Sequence, residues 1–164
     1  MSGQISSGRP FVSNHQTQRA VELFSQKYNC AQSVYAGSAT GKGLSEAQRL
    51  ALAAPFGGGI ARQGEVCGAL TGALLALGEA AGEAIAADPV AGRNALYERA
   101  RQLTEVYRKA HGSILCRELM GCSLDTEEGQ RVSKERGLHQ NLCTKLVVFA
   151  AEQVVRMSAP SPQK

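Results

Sequence analysis

Apolar residues recur at helical spacing through nearly the whole chain, and nowhere does the two-residue alternation of a strand persist. Thr17, Ala20, Val21, Phe24 and Tyr28 follow an i, i+3, i+4 rhythm behind a cap at Ser13 or Asn14, which predicts a first helix. Asn29 is a fresh cap for CAQSVYAG, a short helix with Cys30 in its first turn that ends in the Gly-rich GSATGKG. Ser45 opens a third helix through EAQRLALAA, which Pro55 and the following glycines stop. A fourth is expected from about Glu65 to about Ala81, and Asp88-Pro89 cap and start a fifth. In that fifth helix Leu96, Ala100, Leu103, Tyr107 and Ala110 make one apolar face, while Arg93, Glu98, Arg101, Glu105 and Arg108 make a solvated one.

Beyond it, HGSILCRELMGCSLDTEEG is broken, with Cys116 at a short helical turn and Asp125 with Glu128 resembling a capping box. His139 to Met157 reads as a last helix, apolar nearly all round through Leu142, Cys143, Leu146, Val147, Phe149, Ala150 and Val154, and so belongs in a core. Residues 1–12 and 158–164, rich in Ser, Gly, Pro and Gln, read as flexible tails around a single domain at 13–157. The expected fold is an all-α bundle of about five to seven helices.

Composition narrows this picture. With 43% hydrophobic residues, few aromatics and no Trp, the core must be built from Ala, Leu and Val in closely packed helices. The net charge of +4 is mild and its basic residues are interleaved with acids, so no nucleic-acid partner is expected. MSGQISSGRP lacks a basic region followed by an apolar run, and the longest apolar stretch, Val66 to Gly78, is short of a membrane span. A cytoplasmic location is expected, where five cysteines would stay reduced and stand for redox chemistry, metal binding or burial.

The stretch FGGGIARQGEVCGALTGALLALG carries the most unusual chemistry. It fails the specific tests of a phosphate-binding loop, with no GK[ST] ending, no G-x-G-x-x-G and no preceding strand, so a nucleotide reading is weak. Gly64, Gly68 and Gly72 recur every four residues and would open a groove for a second helix. Cys67 in a first helical turn, with Arg62 and the glycine loop leading in, has surroundings that favour a thiolate, and Cys30 repeats the arrangement. Cys143 taken alone reads as buried, and Cys116 has Arg117 and His111 nearby. His139 and Cys143, four apart, could share a metal, although a helix-start histidine is more often a surface residue. No CxxC pair exists, so any cluster must be assembled by the fold.

Cys30, the glycine-rich stretch, CRELMGCSLDTEEG and Cys143 together resemble the redox-active family named for its cysteine pattern, C_GCAxxG_C_C. Cys67-Gly68-Ala69-Leu70-Thr71-Gly72 matches its CGAxxG motif, and the resemblance runs from about Tyr28 to Val154. It implies that Cys30, Cys67, Cys116 and Cys143 are the family's four cysteines, with Cys122 an extra one, and it implies a redox role and a link to transporters through neighbouring genes.

Three readings follow. Thiol–disulfide exchange would use Cys67 or Cys30 as the attacking thiolate, supported by Arg62, Gly68 and Gly72, against a redox partner protein or a small oxidised substrate, and would need no cofactor. A metal or iron–sulfur carrier would bind zinc or a cluster through all four thiolates. A non-catalytic helical interaction protein, open to self-association, would leave the cysteines passive.

Overall fold

The structure, a computed structural model, describes residues 14–158. The expected tails, apart from Ser158, and the alternative cap Ser13 lie outside the described residues. Nine α-helices make up the described chain: α1 (His15–Ser25), α2 (Cys30–Ser38), α3 (Glu46–Ala53), α4 (Gly68–Ala80), α5 (Gly82–Ala87), α6 (Pro89–His111), α7 (Cys116–Met120), α8 (Glu127–Glu135) and α9 (Thr144–Ser158). A 3-10 turn, Ala54–Phe56, follows α3, and a π-helical segment, His139–Cys143, runs into α9. The all-α class is as expected. The count exceeds five to seven because the connection at Gly82–Ala87 and the broken segment after α6 fold into the short helices α5, α7 and α8.

The caps follow the sequence closely. Asn14 accepts from the Gln16 N–H and starts α1. Asn29 forms a capping box with Gln32, whose side chain also reaches the Leu50 carbonyl and so ties the start of α2 to α3. Asp88 accepts from the N–H groups of Val90 and Ala91 ahead of Pro89, and Gly112, at φ +81°, ends α6 behind Arg108, Lys109 and His111. One cap differs from expectation: α8 starts at Thr126, which accepts from Gly129, because the Asp125 side chain is engaged by the Ser123 hydroxyl instead.

α2 lies at the centre, against α1, α3, α4 and α9, and the core fills with Leu23, Val34, Leu70, Leu77, Leu103, Tyr107, Val147 and Val154. Of the stripe expected on α6, Leu103 and Tyr107 are buried and Ala110 is exposed. The close approach of α2 and α4 rests on Gly72: a Cβ there would stand 2.5 Å from the Ala31 carbonyl oxygen. The expected groove of Gly64, Gly68 and Gly72 is corrected at its first member, because Gly64 lies outside α4 with φ +74°.

α3 and α4 are clamped by Arg49, which donates to Glu79 at 2.6 and 2.9 Å and to the Gly41 carbonyl, with both ionic side chains about nine-tenths buried. The hydrogen-bonded guanidinium holds the Glu79 carboxyl below the usual carboxylate range. A group shifted this way stabilises the fold fully above the unfolded carboxylate pKa, and that contribution disappears as pH falls through the lower folded value. Glu79→Ala, which strands a buried guanidinium, is therefore expected to cost about 2–3 kcal/mol at neutral pH. Urea titrations of the two proteins from pH 7 downward check this: the gap should narrow below about pH 4.

Candidate functional site

Four helix beginnings meet around one cavity. Cys30 is the first residue of α2, Cys67 is the N-cap of α4, Cys116 is the first residue of α7, and Cys143 closes the π-helical segment before α9. All four line a cavity of about 490 Å³, together with Phe24, Lys27, Arg62, Met120, His139 and other residues. Two of the sulfur-bearing residues are sealed, Cys67 at 4% and Cys116 at 6% exposure, whereas Cys30 and Cys143 are half-buried.

Cys67 and Cys116 are brought together by a single antiparallel bridge between Val66 and Leu115. The Cys67 N–H donates to the Ile114 carbonyl at 2.7 Å, the Cys116 N–H donates to the Glu65 carbonyl at 2.7 Å, and the Arg117 N–H donates to Gly64 at 3.1 Å. Gly64, Glu65 and Cys67 thus bond across to residues 114–117 instead of along a helix. That is why α4 begins at Gly68, rather than at the expected Glu65, and why Cys67 stands outside its first turn.

Cys30 and Cys67 are neighbours through Gly68. A Cβ on Gly68 would stand 2.5 Å from the Cys30 sulfur and 2.8 Å from the Phe56 carbonyl oxygen, so the chain beside Cys67 can lie against Cys30 only because residue 68 has no side chain. The glycine loop contributes from the other side. Gly58, Gly59, Ile60, Ala61 and Arg62 all have positive φ, from 49° to 70°, one left-handed turn in which three residues are not glycine. Such a conformation costs roughly 1–2 kcal/mol per non-glycine residue. It is held by the N–H groups of Ala61, Arg62, Gly64 and Glu65, which donate back to the carbonyls of Pro55, Gly57, Gly58 and Gly59 at 2.8–3.2 Å. The turn aims the Gly58 N–H at the Cys30 sulfur.

The expectation that a helix start makes Cys30 a ready thiolate is corrected. Burial pushes its thiol up to about 11, the neighbouring Cys67 adds to the rise, and the N–H groups of Gly58 and Ala31 offset only part of it. Burial likewise pushes Cys143 up to about 12, with Cys30 and Cys67 adding, and raises Cys116 further still. Desolvation in a crowd of sulfurs outweighs the helix terminus, and Cys30, Cys116 and Cys143 are held toward the thiol form. The Cys30 alkylation rate is accordingly expected to keep climbing about tenfold per pH unit beyond pH 9, where an ordinary thiol of pKa about 8.5 levels off. Timed iodoacetamide trapping with peptide mass spectrometry reads this, and a plateau by pH 8 would contradict it.

Tyr107 is the site residue that sequence reasoning assigned only to the core. Its buried hydroxyl donates to the Cys67 sulfur at 3.3 Å, and its ring packs edge-on against His111 and Phe149. The helical stripe showed that Tyr107 faces inward; nothing local to α6 indicates that Cys67, 40 residues earlier, lies at its tip. Met120 was likewise missed, and its sulfur accepts from the Cys116 thiol at 3.6 Å. Cys122 packs beside Cys116, Met120 and Leu138 without lining the cavity.

Arg62 sits exposed on the left-handed turn and lines the same cavity as Cys67. His139 lines the cavity with Cys143, but its exposed ring is stacked on Phe24 with centroids 4.2 Å apart. Among the described residues, no three His, Cys, Asp or Glu side chains are placed to hold one metal ion. Among them, too, no helix is long and apolar enough to cross a membrane.

No curated protein and no solved structure matches the chain. A family model does match it, over residues 28–157, a span that contains all four cysteines of the cavity and the CGAxxG motif at Cys67–Gly72. The chain belongs to the family described as "Putative redox-active protein (C_GCAxxG_C_C)".

Proposed function

We propose that the protein carries out thiol–disulfide exchange, with Cys30 as the entering thiol and Cys67 as the thiol that resolves the mixed disulfide. The observation that carries this reading is the contact through Gly68, which puts the sulfur of Cys30, a half-buried residue, against the backbone next to Cys67. Exchange needs one thiol that a disulfide can reach and a second within bonding range of the first. Cys30 is the more exposed of the two, and Cys67 is sealed behind it. Cys116 and Cys143 face the same cavity and extend the set of sulfurs that can pass a disulfide inward.

A raised thiol pKa bears on direction. The reduced form draws little stabilisation from a thiolate, unlike the strongly oxidising dithiols whose reduced state is held as an anion. The pair is expected to give electrons rather than take them. The alternative, a zinc or iron–sulfur carrier, asks for a tighter convergence of the four sulfurs than the described residues have. Anaerobic purification, followed by metal analysis, a visible spectrum and thiol titration, separates the two. Exchange predicts colourless protein with five titratable thiols, and a bound metal with protected thiols would refute it.

A further inference from the structure

Resting on the exchange reading, we infer that the cavity's substrate is a small disulfide carrying negative charge, such as a short-chain disulfide with carboxylate ends. Three observations converge on this. First, the entering thiol Cys30 lines a cavity instead of standing on the open surface, and the cavity's 490 Å³ suits a small molecule. Second, its charged lining is of one sign. Lys27 and Arg62 line it, no aspartate or glutamate does, and neither cation makes a side-chain ion pair among the described residues. Third, the charge continues outward, because an adjoining hollow shares Arg62, Ser133 and His139 with the cavity and adds Lys134.

Both cations sit on strained backbone. Lys27, at φ +76°, and Arg62, at φ +68°, are two of the four non-glycine residues with positive φ among those described. Conformations of this kind persist where surrounding structure over-determines them, and they gather at binding sites. A rim with two cations and, among the described residues, no ion-pair partner and no acid attracts an anion and concentrates it over Cys30.

The reaction balances within the proposal. The Cys30 thiol gives up its proton, and its sulfur bonds to one sulfur of the substrate. The substrate S–S bond breaks, and the departing thiolate takes up a proton. Cys67, losing its own proton, then bonds to the Cys30 sulfur and releases the second half as a thiol. The protein is oxidised by two electrons to a disulfide, and the substrate is reduced by two electrons to two thiols.

Three disulfides of similar size test the assignment: dithiodiglycolate, which is dianionic, bis(2-hydroxyethyl) disulfide, which is neutral, and cystamine, which is dicationic. The rate of protein oxidation by each is divided by its rate with an uncharged model thiol. The corrected rate with dithiodiglycolate should exceed that with cystamine by at least about tenfold at low salt, and the ratio should fall as ionic strength rises. K27Q/R62Q should collapse the ratio, while Arg101→Gln, on an exposed face of α6, should leave it in place. The salt series needs no variant and stands even if K27Q/R62Q folds poorly. Equal corrected rates at low salt, or a ratio that survives K27Q/R62Q, would overturn the substrate assignment alone. No oxidation by any of the three would overturn the exchange reading itself.

Discussion

Cys67→Ser is expected to trap the protein as a mixed disulfide on Cys30 when it meets a small disulfide. In the unaltered chain the adduct on Cys30 is expected to be short-lived, because the proposed resolving residue, Cys67, adjoins Gly68, whose absent side chain leaves room for the contact. Serine keeps the size and the Tyr107 hydrogen-bond geometry but cannot displace sulfur. An intramolecular thiol attack has an effective concentration of many molar when geometry is right, so its loss should slow resolution by at least about a hundredfold. Intact-mass spectrometry after a timed quench would show one adduct per chain in C67S and little in the parent. Cys30→Ser should show no adduct at that position, and an adduct that resolves equally fast in C67S would reassign the second thiol to Cys116 or Cys143.

The second large effect concerns the scaffold that makes the contact possible. Gly72→Ala places a Cβ against the Ala31 carbonyl oxygen, a backbone atom that moves only if α2 moves, whereas a Cβ on Gly78 of the same helix meets nothing within 4 Å. Gly78→Ala should therefore stabilise by about 0.5–1 kcal/mol through helix propensity. Gly72→Ala should instead lose about 1–3 kcal/mol through overpacking that exceeds the same propensity gain. The two should differ in Tm by several degrees, at about 2–4 °C per kcal/mol for a chain of this size. Because α2 carries Cys30 in its first position, Gly72→Ala should also slow disulfide formation, which a purely local defect in α4 would not do.

These two glycines show how much was legible beforehand. The periodicity of three to four residues and the caps at Asn14, Asn29, Ser45 and Asp88 depend on neighbours in sequence, and the helices they announce are present. The close approach at Gly68 and Gly72 was also readable, since a small-residue ridge has one common use. Residues 58–66 were not. No local propensity points to five left-handed residues in a row, and only hydrogen bonds back to residues 55–59 and across to residues 114–117 hold that path. The error in where α4 starts, and the misplaced Gly64, both follow from that single non-local bridge.

The same distinction runs through the site. Which cysteines form a set came from the family resemblance and not from spacing, and all four line one cavity. Their electrostatics could not be read from helix position alone. A helix N-terminus and an arginine favour a thiolate only when the sulfur stays solvated and the arginine faces it. Here burial and neighbouring sulfur dominate at Cys30, and Arg62 is not among the groups that shift it. The hydrogen bond from Tyr107 to Cys67 joins residues 40 apart and depends on how α6 lies across α4, a property of the assembled bundle.

The central claim is that Cys30 and Cys67 form one exchanging pair. Mild oxidation of the reduced, anaerobically purified protein, followed by alkylation under denaturing conditions and disulfide mapping by mass spectrometry, tests it most directly. The account predicts the loss of two of the five thiols and a Cys30–Cys67 crosslink as the first species. A first crosslink that joins two other cysteines, or full retention of all five thiols under conditions that oxidise a model dithiol, would contradict it.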